Sequence, residues 1–585
     1  MEKWARREDE RLLTGKGRYV ADIRVPGCLD AAFVRSPVAH GVLREVDCTA
    51  ARAVPGVAGA WSAADLPELP PVPNTLLAML STEEAVAGRE WPALVKDRVR
   101  YPGEALAVVL GEDRYRAEDG VAEVTVTIDP LPAVVTPSAA LEDEVRLFDG
   151  LSNVVLRGEA GEPVEESVRS VLTNTMVIYP YRGAGRPEAA IAIERSIDLL
   201  ARRLGMDPVE LRRRNFIPPD AFPYETPVGR VYDSGNYAAA LDLALEALDH
   251  DRWRAEQARR RKDPDAFPLG IGVSCYVERS GGETGGLHEF GSLQAGEDGK
   301  ITARCGTAPS GQGHETVFPA LIAGFLGVPE TQVRLVEGDT DEQPEGLGSF
   351  ASRSAQIDGA LFRHLADLLI DEARTRAAGL WDLPVDRIEW TDGSVHTAHD
   401  GTPLMGLGEL VKHTGPLRVE DRFESSQAFP FGAHAAVVEV DVDLGTVHIL
   451  RLVAVDDCGV ILSPAVVHGQ AYGSVLQGVG QALYEGMRFD DDGVPHLAGG
   501  FLDYLLPTFT EVPPIDVKDT HTPSPNSPLG AKGAGESGCI GTPAAVVNAV
   551  ADALPNVDPG LLQMPLTPDS ILRALRASAN EEGVR

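Results

Sequence analysis

Cysteine is scarce in this chain: six in 585 residues, at Cys28, Cys48, Cys275, Cys305, Cys458 and Cys539. None pair as CxxC, which argues against a zinc ribbon or a cysteine-ligated iron–sulfur cluster in this chain. No second His or Cys lies at metal-ligand spacing, so a metal held by protein side chains is not expected. No apolar run approaches the roughly 18 residues of a membrane span, and the N-terminal MEKWARREDERLL lacks the apolar core of a secretory signal. Positive charge is also in deficit: 53 Lys and Arg face 88 Asp and Glu, a formal net charge of −35. Such a surface repels nucleic acid and anionic lipid, so neither is an expected partner. The setting these absences suggest is soluble, reducing and cytoplasmic. Nucleotide loops are missing as well: neither GxxxxGK[ST] nor GxGxxG after a strand occurs.

What the chain has in abundance is glycine and proline, 60 and 43 residues, alongside 43% apolar residues. That combination builds substantial cores from short elements joined by tight turns. Over the first 145 residues, RYVADI, AAFVRS, ALAVVL and VAEVTVTID read as strands, and CTAARAVPG and RYRAEDGVA as short helices. The acidic, glycine-containing stretch 157–166 reads as a linker.

Beyond it, glycine-rich turns run into helices. Arg182-Gly-Ala-Gly-Arg-Pro187 leads into a helix on which Ile193, Ile197, Leu200 and Leu204 share one face, with Pro187 in the first turn and Gly205 as the stop. Gly311-Gln312-Gly313-His314 leads into ETVFPALIAGFLG, and the loop 346–353 into SAQIDGALFRHLADLLIDEA. Gly533-Ala-Gly-Glu-Ser-Gly538 leads, after Gly541, into TPAAVVNAVADAL. PAVVHGQAYGSVLQGVGQALY is a glycine-punctuated helix, and DDDG at 490–493 and GEDG at 296–299 are hairpin turns. With strands between these units, the fold class is α+β with more than one lobe.

Loop-to-helix junctions expose backbone N–H groups and the positive end of the helix dipole, so several in one chain suit a polyanionic ligand. Taken alone, Glu536 reads as a turn acid or helix cap more readily than as a general base. Arg182 is either a surface arginine or a fork for a substrate oxygen. His314 alone is a core or capping histidine more readily than a ligand.

Together, these segments resemble the xanthine dehydrogenase/aldehyde oxidase family, in particular its molybdopterin-binding (large) subunit. LLTGKGRYVADI, AAFVRSPVAHG, ARAVPGV and RYPGEALAVVLGEDRYRAED are similar to its a/b hammerhead domain. TNTMVIYPYRGAGRPEAAIAIERSID and DPVELRRRNFI follow its TN…YRGxGRPE…ER…ELRxxN pattern. GTAPSGQGHET, VEGDTDEQPEGLGSFASRS, VDDCGVILSPAVVHGQAYGSVLQGVGQALYE and PNSPLGAKGAGESGCIGTPAAVVNAVADAL match its later signatures in order.

The resemblance implies a hammerhead domain over 1–150, a linker over 151–170, a remnant of the first molybdopterin-binding lobe over 171–265 and a second such lobe over 266–585. It implies a molybdenum–pyranopterin cofactor, in one version the cytosine dinucleotide form, held by Gln312, Gly313, His314, Thr316, Ser352, Arg353, Gln470 and Gly535. Arg182 takes the substrate-orienting position and Glu536 the base. The implied reaction hydroxylates an aldehyde or N-heteroaromatic carbon of a small molecule with oxygen from water. Iron–sulfur and FAD groups then belong to partner subunits, and the assembly is expected to form a homodimer. Copper-containing carbon monoxide dehydrogenases carry a cysteine next to the arginine of the YR loop; Gly183 stands here, which points away from that branch.

One departure is large. Between RLFDGLSNVVLRGEAGEPVEES and VLTNTMVIYP the family has a domain-sized segment with a GGGFGxK loop and an upstream glutamine, and this chain joins the flanks within a few residues. Ser463 also replaces the asparagine usual before the proline of the INP-type segment. The sequence therefore leaves open a cofactor-free descendant using Glu536 for non-redox acid–base chemistry, and a scaffold-like remnant.

Overall fold

The computed structural model describes residues 6–72, 87–160, 166–175, 180–281, 288–495, 501–502 and 504–582. The N-terminal unit packs two small sheets around a shared core. Strands β1 (Asp30–Arg35), β2 (Gly41–Asp47), β3 (Val57–Ser62), β4 (Ala105–Gly111) and β5 (Thr125–Pro130) form it, with helix α1 (Arg114–Ala122). β4 lies between β1 and β3, antiparallel to both, and β5 pairs antiparallel with β2. Val34, Ala60, Val99, Leu106 and Val109 fill the space between the sheets. RYVADI is not a strand. Asp22 folds back to accept the amide of Tyr19 at 2.9 Å, closing a single 3-10 turn over Val20–Asp22. CTAARAVPG likewise gives only a 3-10 turn, Ala51–Ala53.

The stretch expected as a linker is a β-hairpin. β6 (Val154–Ala160) pairs antiparallel with β7 (Glu166–Val171), and the tip between them lies outside the described residues. Asn153 holds its base: the carboxamide accepts the Leu147 amide and donates to the Val145 carbonyl, and its own carbonyl accepts the Leu172 amide.

Helices α2 (Arg186–Leu204), α3 (Pro208–Asn215), α4 (Tyr237–Leu248) and α5 (His250–Arg260) follow. They have no core of their own. Val209, Tyr237, Leu241 and Leu248 pack on Leu269, Ile271 and Val273 of β8 (Leu269–Val277) and on strands further along the chain. The boundary expected near 265 is thus crossed by a continuous core, because the short remnant can bury its apolar side chains only on the next sheet.

A second sheet carries its own core: β9 (His288–Ala295), β10 (Ile301–Cys305), β11 (Val333–Val336) and β12 (Leu417–Glu424), in the order β11-β10-β9-β12. Helices α6 (His314–Leu326) and α7 (Ser354–Trp381) cover it through Phe318, Ile322, Leu361 and Leu365. GEDG makes the β9–β10 hairpin as expected.

β13 (Phe431–Asp441) and β14 (Thr446–Asp457) return to the first sheet, with β15 (Ile515–Thr520) parallel to β14, giving the order β8-β13-β14-β15. Its second face is covered by α8 (Pro464–Leu483), α9 (Ser537–Ala553) and α10 (Pro568–Glu582). Two strand glycines seat α9. A Cβ on Gly270 would stand 1.9 Å from the Ala549 carbonyl, and one on Gly272 2.1 Å from that of Ala545. Only strand backbone without side chains lets the helix lie this close. α9 begins at Ser537 rather than after Gly541, so Glu536 stands at its N-terminus. Gly538 and Gly541 serve contact rather than a turn: their Cβ positions fall against Ser474 and the His434 ring.

α2 turns its apolar stripe outward. Ile193, Leu200 and Leu204 are 59%, 48% and 58% exposed, while the buried face carries Glu194. Glu194 meets Arg212 of α3 at 2.7 Å, and Arg212 also reaches Asp198 at 2.7 Å. Among the described residues no helix is long and apolar enough to cross a membrane.

Candidate active site

Four segments far apart in sequence meet at the N-terminus of α9. Glu536 is buried there, 8% exposed, and each carboxylate oxygen has a donor. The Gly183 amide donates to Oε1 at 2.7 Å and the Ser352 hydroxyl to Oε2 at 2.9 Å. A carboxylate at a helix N-terminus is further favoured by the helix dipole.

The loops that supply these donors are strained. Gly183 has φ +96°, and Ala184 follows it at +48°. Ala351 and Ser352 stand consecutively in the left-handed region, at +52° and +51°. For non-glycine residues this costs about 1–2 kcal/mol each. The contacts at Ser352 hold it there: a Cβ on Gly533 would lie 2.5 Å from the Ser352 carbonyl oxygen, and Ser280 accepts the Gly533 amide at 3.0 Å.

Arg182 braces the loop that carries Glu536. Nε donates to the Gly535 carbonyl at 2.5 Å, Nη1 to Gln477 Oε1 at 3.2 Å, and Nη2 to the Gln470 side chain at 2.9 Å. The guanidinium expected to orient a substrate thus ties the glycine loop to α8 instead of projecting free. Arg186 similarly donates to the carbonyls of Gly183 and Arg279, fastening the 182–186 loop to the end of β8.

Arg182, Ser352, Gln470, Gly535 and Glu536 are therefore together. Gln312, Gly313, His314 and Thr316 form an adjoining group, joined to it through α8. A Cβ on Gly313 would meet Val466 at 2.7 Å, one turn before Gln470. Their side chains are engaged within the protein. Gln312 accepts the Ser310 amide. His314 is buried, bonded through Nδ1 to Glu337 at 2.7 Å and packed on Phe318. Thr316 donates to Glu8 at 2.7 Å and accepts the Arg7 amide at 2.8 Å. The N-terminal segment Arg6–Arg11 thus clamps this loop, with Arg6 on the Gly311 carbonyl and Arg11 paired with Glu315. What Gly311–Gly313 offers a ligand is backbone.

Arg353 is 2% exposed, with Nη2 on Glu289 at 2.6 Å and on the Gly348 carbonyl. Its Nε and Nη1 find no acceptor among the described residues, although both are buried. Cβ positions at Gly311, Gly348 and Gly469 meet nothing within 4 Å. Unspent guanidinium donors beside open glycine backbone fit an anionic cofactor such as a pyranopterin phosphate.

Sequence reasoning missed Glu278, Ser280, Arg186 and Gln477. Glu278 is fully buried, one residue past β8, and Ser537 Oγ lies 3.5 Å from its Oε2. Burial first and the neighbouring Glu536 second hold its carboxyl well above the usual range. The available signal was a lone Glu closing an apolar strand just before two glycines. Cys539 lies beneath the site, and burial pushes its thiol up to about 12, which leaves it inert.

Comparison with known proteins follows this geometry. The aldehyde oxidase and xanthine dehydrogenase a/b hammerhead domain family matches residues 14–132. Two molybdopterin cofactor-binding domain families match 162–216 and 243–513. The chain is 27% identical to the carbon monoxide dehydrogenase large chain of Hydrogenophaga pseudoflava, covering 97% of this chain and 96% of that one. It is 25% identical to the nicotine 6-hydroxylase large subunit of Paenarthrobacter nicotinovorans, over 99% of this chain and 94% of that one. The crystal structure of quinoline 2-oxidoreductase from Pseudomonas putida 86 superposes with a TM-score of 0.87 at 28% identity, covering 98% and 97%. The alignment with the Hydrogenophaga chain runs over 784 positions, far more than the 585 residues here, so a long block of that relative has no counterpart. None of these relatives supports a cofactor-free or scaffold-like reading. The chain belongs to the xanthine dehydrogenase/aldehyde oxidase family and is its molybdopterin-binding large subunit.

Proposed function

We propose that the chain is the catalytic subunit of a molybdenum hydroxylase that oxidises an aldehyde or N-heteroaromatic carbon with oxygen from water, with Glu536 as the general base. The observation that carries this is the buried Glu536 carboxylate, pinned on both oxygens by Gly183 and Ser352 at the N-terminus of α9. A base held this way is already oriented when it takes a proton.

A molybdenum–pyranopterin held beside it would supply the oxygen-transfer and two-electron redox chemistry. The groups of this chain do the rest. Glu536 accepts the proton, and Ser352 and the Gly183 amide hold the carboxylate in line. The backbone at Gly311, Gly313 and Gly535, with Gln470 and the free edge of Arg353, is where we place the cofactor, in its cytosine dinucleotide form. His314 and Thr316 act through the shape of their loop. Arg182 fixes Gly535 and thereby the direction of Glu536. The buried thiol of Cys539 and the glycine after Arg182 favour an organic substrate over carbon monoxide.

The iron–sulfur and flavin groups that would carry the electrons onward we assign to partner subunits, in an assembly we expect to be a dimer of such units. The outward stripe Ile193, Leu200 and Leu204 of α2, directly downstream of the missing block, is the place for a partner to supply the absent wall. Metal and pterin analysis after expression with molybdate tests the reading. Stoichiometric molybdenum with a pterin supports it, and neither being present removes it.

A further inference from the structure

The mechanism leaves one buried acid without work. Glu278 is 0% exposed, its Oε1 has no partner among the described residues, and its Oε2 lies 3.5 Å from the hydroxyl of Ser537, the residue after Glu536. We infer that Glu278 is a positioning residue for Glu536: it stays a neutral acid and donates its O–H to the Glu536 carboxylate, as a third anchor beside Gly183 and Ser352. The inference rests on the reading of Glu536 as base.

Two carboxyls in one dry site cannot both ionise, so one proton stays with the pair. The surroundings decide which acid keeps it. Glu536 has an amide and a hydroxyl donating to its oxygens and stands at the N-terminus of α9. Glu278 has only the long contact to Ser537, at 3.5 Å, and a nearby Ser352 hydroxyl that already donates to Glu536. The cations facing it are committed elsewhere. Arg186 is bonded to two backbone carbonyls, and Arg182 to Gly535, Gln470 and Gln477. From its own strand Tyr276 turns away to donate to Asp456 at 2.6 Å, and Cys539 of α9 is a buried neutral thiol. Burial and the Glu536 charge accordingly hold the Glu278 carboxyl well above the ordinary carboxylate range.

Infrared difference spectra of the purified full chain at neutral pH test the proton directly and need no turnover. Subtracting E278Q from wild type should show the carbonyl band of one protonated carboxyl, and in E536Q that band should persist at a shifted frequency. Absence of the band from the wild-type-minus-E278Q difference, or its loss in E536Q, overturns the proposal. In the loaded enzyme E278M, which cannot donate, should move the acid limb of the kcat/KM profile up by about one pH unit. E278Q donates an N–H in place of the O–H and should keep the wild-type limb. Identical limbs for E278M and E278Q would reduce Glu278 to packing and overturn the assignment. The infrared result reports which acid of the pair holds the proton, whereas turnover in E536Q decides the base reading separately.

Discussion

Gly183 donates its amide to Glu536 Oε1 at 2.7 Å across 353 positions of sequence. The bond works because Gly183 sits at φ +96°, a conformation that aims the amide into the site and that a side chain resists. A Cβ there would stand 2.7 Å from the ring of Pro187, in the first turn of α2. Gly183→Ala is therefore expected to cost about 1–3 kcal/mol of stability and to pull the amide off the base. Denaturant midpoints and kcat measured together check this, and a variant unchanged in both would show that the bond is dispensable.

Glu536→Gln keeps the size and the contact with Gly183 but removes the basic oxygen. Turnover should fall by about a hundred- to ten-thousandfold with molybdenum content and unfolding midpoint unchanged. Retained turnover would take Glu536 out of the mechanism. Ser352→Ala, which removes one donor and leaves the carboxylate, should fall between the two.

Glu536 was legible in the sequence because glycines flank it in an ordered set of motifs, and the loops at 182, 311 and 352 were legible for the same reason. What escaped depended on contacts across the chain. Glu278 is a single acid ending an apolar strand, and nothing local says that it faces another acid. The start of α9 was placed after Gly541 because glycines read as punctuation, whereas Gly538 and Gly541 are there for close contact with α8 and His434. RYVADI has the composition of a strand, and a single capping bond from Asp22 turns it into a 3-10 turn. Periodicity found the apolar face of α2 but could not say that none of the described residues covers it.

That uncovered face makes its own prediction. Ile193, Leu200 and Leu204 are about half exposed, so serine at all three should shift the stability of the isolated chain by no more than about 0.5 kcal/mol per site. Coexpressed with the iron–sulfur and flavin subunits proposed as its partners, the triple variant should assemble poorly. A large loss of stability in the isolated chain would mean that the stripe is already buried within it.

The opposite face of α2 is tied by charge. Arg212 is enclosed with Glu194 and Asp198 at 2.7 Å and also donates to the carbonyl of Val273 in β8. Arg212→Ala leaves an unpaired acid in the interior and should cost about 3–5 kcal/mol. Pairing Arg212→Met with Glu194→Met removes both charges and should recover much of that loss. Unfolding midpoints of the single and double variants check it, and additive losses would deny the coupling.

Stability of the hammerhead domain should depend on pH through Glu104. The side chain is 2% exposed, with Oε2 accepting the Arg100 amide at 2.7 Å, and burial pushes its carboxyl from 4.5 up to about 7. The folded chain therefore binds a proton between those values that the unfolded chain has released. With the folded form the stronger proton binder, stability is fully present below about pH 4.5 and is lost as pH rises toward 7. Glu104→Gln is neutral throughout and should behave like the wild type at the acid end. Above pH 7 it should be the more stable of the two, by about 3 kcal/mol for a shift of this size. Denaturant unfolding of the full chain, followed by the Trp91 fluorescence of this domain at a series of pH values, measures the difference. A gap between the two proteins that stays constant across the range would place the Glu104 carboxyl at its ordinary value and remove it as the source.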